Sequence, residues 1–352
     1  MLQDSVAGFL NANCTLDRVR AAAESGNTHD QELAQGLAEL GVTGLIIPED
    51  FGGVALGFLE AALVAEAMGQ VASPVSFIGS NVMAPIALMM AGSAEQQEEW
   101  LPNIASGASV LGVAVSHRTG ARDSAPISYE DGKLTGRTMF AMDAYQADAF
   151  VVADERDALY LVHANDATQT TLKSIDRTRG LASLEFNGAS AELLPGSSTG
   201  PDALNKMVDA GRLLLAADTL GAAQKMLDDS IAYAKERKQF NRVIGSFQAV
   251  KHMCAEMAAH LEPCRSLVWY AGHAHDAIPE EVRLLSCHAK SHLAETGKFV
   301  ARTATEVHGG MGMTDLLGLH YWFKRIGLNR QLFGSPERLR HEAAVAQGLA
   351  VD

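Results

Sequence analysis

The 352-residue sequence lacks the features that mark disulfide-linked, zinc-binding and membrane-spanning proteins. Its four cysteines, Cys14, Cys254, Cys264 and Cys287, form no Cys-x-x-Cys pair, which argues against a disulfide framework and against a zinc site. No uninterrupted apolar run is long enough to cross a bilayer, and no basic segment precedes an apolar stretch near the N-terminus. The sequence therefore predicts reduced thiols, no membrane partner and a cytoplasmic location.

Positive charge is also scarce, since 28 Lys and Arg residues stand against 42 Asp and Glu residues, a net charge of −14. Nucleic acid and anionic lipid are therefore not expected as main partners, although a local basic patch can still bind a phosphorylated ligand. Aromatic residues make up only 6% of the chain, but 47% of it is hydrophobic, which is ample for a large core. A small molecule is the expected partner.

Hydrophobic periodicity divides the chain into three parts. Up to about residue 106, apolar residues such as Leu33 and Leu37 recur at the helical period, and a Pro-Gly turn at 48–53 interrupts them. Short apolar runs separated by turn residues follow and predict a small β-domain. From Leu213 to Ala234 the apolar spacing alternates between three and four, which predicts one seam of a helix bundle. The sequence thus predicts an α+β fold with a helical, a β and a helical domain at residues 1–106, 107–200 and 201–352.

Five segments follow one another along most of the chain: LAELGVTGLIIPEDFGGVALGFLEAALVAEAMG, EEWLPNIASG, DGKLTGRTMFAMDAYQADAFVVA, YAKERKQFNRVIGSFQAV and VHGGMGMT. Their content and order resemble the acyl-CoA dehydrogenase family. The resemblance implies a C-terminal four-helix bundle, FAD as the cofactor, an acyl-CoA thioester as the substrate, and a dimer or a dimer of dimers.

The segment ERKQF contains groups that suit a pyrophosphate. The guanidinium of Arg237, near a predicted helix end, can bind phosphate oxygens in pairs, and the amide of Gln239 can donate a further bond. The resemblance implies that this motif, with Phe240, reaches the FAD of a neighbouring subunit, and that Gln248 helps to hold the adenosine diphosphate. The alternative is a solvated, charged helix end.

The segment EVHGGMG contains a second set of candidate cofactor residues. Gly309 and Gly310 have no Cβ, so their backbone amides can approach a ligand closely. The alternative is an ordinary helix C-cap and turn. The resemblance implies a role at the cofactor, although Glu306 stands where the family usually has a glutamine.

The family's catalytic base is a glutamate that removes the α-proton while the flavin accepts a hydride. The resemblance places that glutamate at one of two positions, which are Phe333 and Gly211 in this chain. Neither residue can accept a proton. No catalytic residue is therefore assigned to this chain.

The segments expected at the flavin ring also differ from the family pattern. A loop that contains Thr-Glu-Pro in the family reads SHRTGARD from Ser116 to Asp123, and a Trp-Ile-Thr-Asn segment reads FAMD from Phe140 to Asp143. Met142 therefore replaces a hydroxyl donor.

Other polar residues are weaker candidates. His288 and His292 lie four residues apart without an acidic third ligand, so no metal is predicted. Asp315, Glu337 and Glu342 could be imagined as relocated bases, but a capping or surface role is the simpler interpretation for each.

These matches and gaps predict one subunit of a heteromeric acyl-CoA dehydrogenase. A paralogous partner would supply the base and the flavin face, within an α2β2 heterotetramer. The missing glutamate is similar to the non-catalytic members of the pairs that act in bacterial steroid side-chain breakdown. Two alternatives remain: a homomeric dehydrogenase with a relocated base such as Asp315, and a flavin-free scaffold or acyl-CoA-binding protein.

Overall fold

The structure is a computed structural model that describes residues 2–120 and 126–351. Its N-terminal part is helical, as the periodicity predicted, and a π-helical segment at Ile78–Met83 leads directly into α5. The side chains of Thr15, Asp30 and Ser93 accept backbone N–H bonds and so begin α2, α3 and α6. The helices are α1 Leu2–Asn13, α2 Leu16–Ser25, α3 Gln31–Glu39, α4 Phe58–Gln70, α5 Ala84–Ala91 and α6 Ala94–Ala105.

Within the described residues the middle part forms an eight-stranded mixed sheet, in the order β6-β7-β3-β1-β4-β5-β8, with β2 beside β3. Only β1 and β4 pair in parallel; the other pairs are antiparallel. Phe150 and Phe186 are fully buried in the sheet's own core. The elements are β1 Leu111–Ala114, α7 Ser116–Thr119, β2 Ser128–Glu130, β3 Lys133–Met142, β4 Ala149–Ala153, β5 Leu159–His163, β6 Thr168–Thr171, β7 Leu181–Ser190 and β8 Glu192–Leu193.

The C-terminal part is a bundle of long helices. Every residue from Met207 to Ala223 is buried, because α4, α9, α10 and α11 surround α8. The prediction of a single apolar seam on this helix was therefore too narrow. The elements are α8 Asp202–Glu236, β9 Lys238–Gln239, β10 Arg242–Val243, α9 Gln248–Ala277, α10 Val282–His308, α11 Leu319–Gln331 and α12 Pro336–Ala346.

The change from helix to strand falls between α6 and β1, and the return to helix falls between β8 and α8. The boundaries 1–106, 107–200 and 201–352 lie at these changes and remain a proposal. Buried charge joins the three parts. Arg325 of α11 donates to the carbonyl oxygen of Ser73 at 2.8 Å and to Asp176 at 3.2 Å, and Arg179 pairs with Asp218 of α8 at 3.2 Å. In the described part of the chain, no helix is long and apolar enough to cross a membrane.

Candidate active site and cofactor surface

The two positions considered for the base lie next to each other in space. Gly211 is in the middle of α8, and Phe333 is in the turn between α11 and α12. A Cβ atom on Gly211 would lie 2.7 Å from Cε2 of Phe333 and 2.9 Å from Sδ of Met83. The ring of Phe333 therefore fills the space that a side chain at residue 211 would need.

An apolar cavity of about 310 Å³ adjoins this contact. Phe140 and Phe333 both line it, and both have positive backbone φ angles, at +57° and +56°. Such angles are unusual for aromatic residues and are typically retained at ligand sites. None of the described lining residues carries a carboxyl group; the others are Val115, Ser116, Thr119, Gly120, Leu328, Gln331 and Leu332.

Arg212, the residue after Gly211, holds this arrangement in place. Its Nε donates to the carbonyl oxygen of Phe333 at 3.0 Å, and its guanidinium pairs with Glu342 at 2.7 Å. Burial opposes the charge on Arg212, but Cys287, Glu342 and Asp209 outweigh it and raise the pKa of the guanidinium. Burial likewise favours the neutral form of Glu342, yet Arg212 lowers the pKa of this carboxyl. Glu342 is thus an ion-pair partner.

Asp315 and Glu337 occupy surroundings unlike those of a base in a dry cleft. The side chain of Asp315 is 61% exposed, and its hydrogen bond from His320 at 2.7 Å lowers its pKa. Glu337 lies in the first turn of α12, where backbone N–H donation and the Ser335 hydroxyl lower its pKa. Both carboxylates are already stabilised in the ionised form.

The segments compared with the flavin-ring motifs are only partly described. Residues 121–125, which include the end of SHRTGARD, lie outside the described residues. The Ser116 hydroxyl lies 2.6 Å from that of Thr138. Met142 is fully buried in β3, while Phe140 is exposed to the cavity. Asp143 is buried and accepts N–H bonds from the π-helical segment, including one of 2.7 Å from Gly79, which gives it a structural role.

The ERKQF segment begins at a helix end, as the sequence predicted for Arg237, which is the C-cap of α8. The helix does not continue through Lys238 and Gln239, which instead begin a hairpin. α8 ends at Glu236, and β9 and β10 pair Gln239 with Arg242. Because extended residues alternate sides, Arg237 and Gln239 face one way and Lys238 faces the other. Phe240 lies at the tip and is 87% exposed. Gln248, the first residue of α9, is also exposed.

The glycine turn lies close to this hairpin, because Tyr233 near the end of α8 stacks on His308 at the end of α10, with 4.6 Å between ring centroids. Gly309 ends α10 with a φ of +59°, so the C-cap interpretation accounts for a glycine there. A Cβ on Gly309 or Gly310 would meet nothing within 4 Å. Glu306 is exposed one turn earlier. The predicted cofactor residues therefore share one open end of the bundle.

His288 and His292 are both exposed on α10. Across residues 2–120 and 126–351, no group of three His, Cys, Asp or Glu side chains could hold a metal ion.

Residues 1–108 match the acyl-CoA dehydrogenase N-terminal domain, and residues 199–348 match the acyl-CoA dehydrogenase C-terminal domain. The acyl-CoA dehydrogenase IpdE2 of Mycolicibacterium smegmatis is 31% identical over 342 residues, which are 97% of this chain and 96% of that protein. The chain belongs to the acyl-CoA dehydrogenase family. This is a family of flavoprotein oxidoreductases whose cofactor is FAD.

Two solved structures of similar chains are heteromers of this family. The ChsE4-ChsE5 complex from Mycobacterium tuberculosis superposes with a TM-score of 0.91 at 28% identity, covering 100% of this chain and 97% of that one. The Tcur3481-Tcur3483 steroid ACAD G363A variant superposes with a TM-score of 0.88 at 27% identity, covering 99% and 96%. The predicted family, fold and cofactor are thereby confirmed.

The residues present fit one half of an FAD site better than the other. Arg237, Gln239 and the open Gly309-Gly310 turn form an exposed surface with a cation, an amide and free space for a phosphate-bearing ligand. At the cavity, by contrast, the polar hydroxyl of Ser116 already interacts with Thr138, and Met142 is buried.

Proposed function

We propose that this chain is the non-catalytic subunit of a heteromeric acyl-CoA dehydrogenase. The contact between Phe333 and Gly211 carries the proposal, because it fills the two candidate base positions with an aromatic ring and a residue without a side chain. A base must reach the α-proton from inside a dry cleft. Neither position offers one, and Glu342 is engaged with Arg212.

This chain's contribution lies in its exposed bundle end. The proposed contacts to the FAD of a paralogous partner come from the residues that the sequence singled out: Arg237, Gln239, Phe240, Gln248, Glu306, Gly309 and Gly310. FAD, when bound, accepts the hydride from the substrate. Phe240, which is 87% exposed at the hairpin tip, is the apolar member of this set that would contact the second subunit.

The partner supplies the base and the flavin face, in an α2β2 assembly that dehydrogenates an acyl-CoA thioester at the α,β bond. The two similar heteromers, one of them a steroid ACAD, support a paralogous partner and a steroid side-chain thioester as the substrate. The homomeric alternative is disfavoured by the exposed, low-pKa carboxylates of Asp315 and Glu337. The flavin-free scaffold alternative is distinguished from both enzymes by measuring whether the purified chain or its complex contains flavin.

The test is co-expression with a paralogue encoded near this chain. The split enzyme should be yellow only as the complex, a homomeric enzyme should be yellow when purified alone, and a scaffold should be colourless in both cases.

Variants in the complex then locate the cofactor contact. Arg237→Ala should lower FAD content, because removing one member of a charge pair with the pyrophosphate costs about 2–5 kcal/mol. Lys238→Ala is the matched control, since its side chain faces the opposite side of the hairpin. Full flavin occupancy of Arg237→Ala after dilution would contradict the proposed pyrophosphate contact.

A further inference from the structure

A second cavity, of about 320 Å³, lies on the other side of Arg212 and is rich in guanidinium groups. It is formed where α7, the start of α8, the start of α10 and α12 meet. Its polar lining consists of Arg118, Asn205, Arg212, Arg283, Arg338 and Glu342. These residues are far apart in the sequence, so no sequence pattern could have revealed the cluster.

Two of these guanidinium groups converge on one uncharged atom. Arg118 donates to Oδ1 of Asn205 at 2.8 Å, and Arg283 donates to the same oxygen at 3.0 Å. Holding two like charges at a neutral acceptor is unfavourable by comparison with a shared carboxylate, which forms shorter and stronger charge-assisted bonds. Arg118 and Arg283 are 36% and 32% exposed, so a ligand can reach both.

The charges around the cavity do not balance. Asp209 pairs with Arg283 at 2.7 Å and with Arg212 at 3.4 Å, and Arg118 lies 3.5 Å from Asp157. Glu342 pairs with Arg212 and Arg338 and lies 3.7 Å from Arg283. Four guanidinium groups thus face three carboxylates among the described residues, which leaves one positive charge. A single organic anion would compensate it.

The rest of the lining is apolar and comes from Val208, Val345 and Ala346. A cavity of this size lies at the lower end of the roughly 300–1,000 Å³ range of small-molecule sites, which favours a short acid over a nucleotide-linked thioester. Arg338 also borders the cavity beside Phe333, because it donates to the carbonyl oxygen of Arg118 at 2.7 Å and lies against Gly120, which lines that cavity.

From this arrangement we infer that the arginine cavity binds a small aliphatic monocarboxylate, with the carboxylate between Arg118 and Arg283 and the aliphatic part on Val208, Val345 and Ala346. The site is separate from the FAD surface at the far end of α8 and α10, and binding needs neither FAD nor turnover. Failure of the proposed dehydrogenase role would therefore leave this inference standing.

The experiment is calorimetric titration of the full chain with hexanoate, and with hexanamide as its neutral analogue. Saturable one-to-one binding of hexanoate is expected. Hexanamide and the Arg118→Gln variant should each bind roughly tenfold to a hundredfold more weakly, as the loss of a charged hydrogen-bond partner predicts. Arg302→Gln, which changes an exposed arginine of α10 outside the cavity, should bind hexanoate like the unaltered chain.

Asn205→Asp gives a second test that does not depend on removing an arginine. It places a fixed carboxylate where Arg118 and Arg283 already converge, so hexanoate binding should be lost while the melting temperature rises.

Three results would each overturn the inference. The first is equal binding of hexanoate and hexanamide, and the second is hexanoate binding that is unchanged in Arg118→Gln or Asn205→Asp. The third is the absence of saturable binding. Arg118-dependent binding of coenzyme A or inorganic phosphate that is tighter than binding of hexanoate would also overturn it, because the site would then select phosphate.

Discussion

The contact between Gly211 and Phe333 can be tested by a double-mutant cycle in the isolated chain. An alanine in a helix interior is normally more stable than glycine by about 1 kcal/mol. At residue 211, however, the new methyl group would lie 2.7 Å from the Phe333 ring, well inside the ordinary carbon contact distance of about 3.5–4.0 Å. Overpacking of this kind costs about 1–3 kcal/mol, so Gly211→Ala should be destabilising by up to about 2 kcal/mol overall.

Phe333→Ala alone should lower the free energy of unfolding by about 3–5 kcal/mol, since the ring is 6% exposed and its loss leaves a cavity. In that background the methyl group introduced at residue 211 no longer meets the ring, and the closest remaining contact is the flexible Met83 at 2.9 Å. Gly211→Ala should then become neutral or stabilising. The coupling free energy between the two substitutions is expected to be about 1–3 kcal/mol.

Urea unfolding followed by circular dichroism measures all four free energies. Gly8→Ala is the matched control, because Gly8 also lies inside a helix but a Cβ there would meet nothing within 4 Å. It should stabilise the chain by about 1 kcal/mol with and without Phe333. A coupling below about 0.5 kcal/mol between Gly211→Ala and Phe333→Ala would refute the packing argument, as would equal stabilisation by Gly211→Ala and Gly8→Ala.

Further predictions concern ionisable groups. The turnover rate of the complex should stay within a few-fold of the unaltered value in each of Asp315→Asn, Glu337→Gln and Glu342→Gln. Removal of a true catalytic base lowers the rate by a factor of ~10²–10⁴. A loss of that size in one variant, with flavin retained, would identify that residue as the base. Glu342→Gln should also destabilise the chain by about 3–5 kcal/mol in urea unfolding, because the buried Arg212 loses its closest charge partner. Burial lowers the pKa of Lys290 from 10.5 to about 7, so the unfolded chain binds more protons between these values and stability rises with pH there. Lys290→Met should remove this rise, which unfolding curves at about pH 7 and about pH 9 would reveal.

The order of the three parts could be predicted from the sequence because it depends on local periodicity. The burial of α8 could not, since a helix that is enclosed by four others shows little difference between its faces. The hairpin after Glu236 was missed for a related reason. Phe240 and Asn241 both adopt positive φ angles. Asn is common in such turns, but Phe is not, so the sequence gives only half of the usual turn signal.

The site shows the same limit at longer range. The sequence identified Gly211 and Phe333 separately, as two places where a glutamate is absent, but could not show that they touch. The contact depends on the backbone of Phe333 being held at positive φ by Arg212, and on Arg212 being held by Glu342. The arginine cavity similarly requires four elements from different parts of the chain.

The geometry also explains why glycine and phenylalanine occur together at these positions. A ring at residue 333 fits only if residue 211 has no side chain, and a glycine at 211 would leave a void in the core without the ring. Each residue thus compensates for the other in packing. The position is therefore closed by packing. For the exposed end of the bundle, contact with a partner's cofactor remains our proposal.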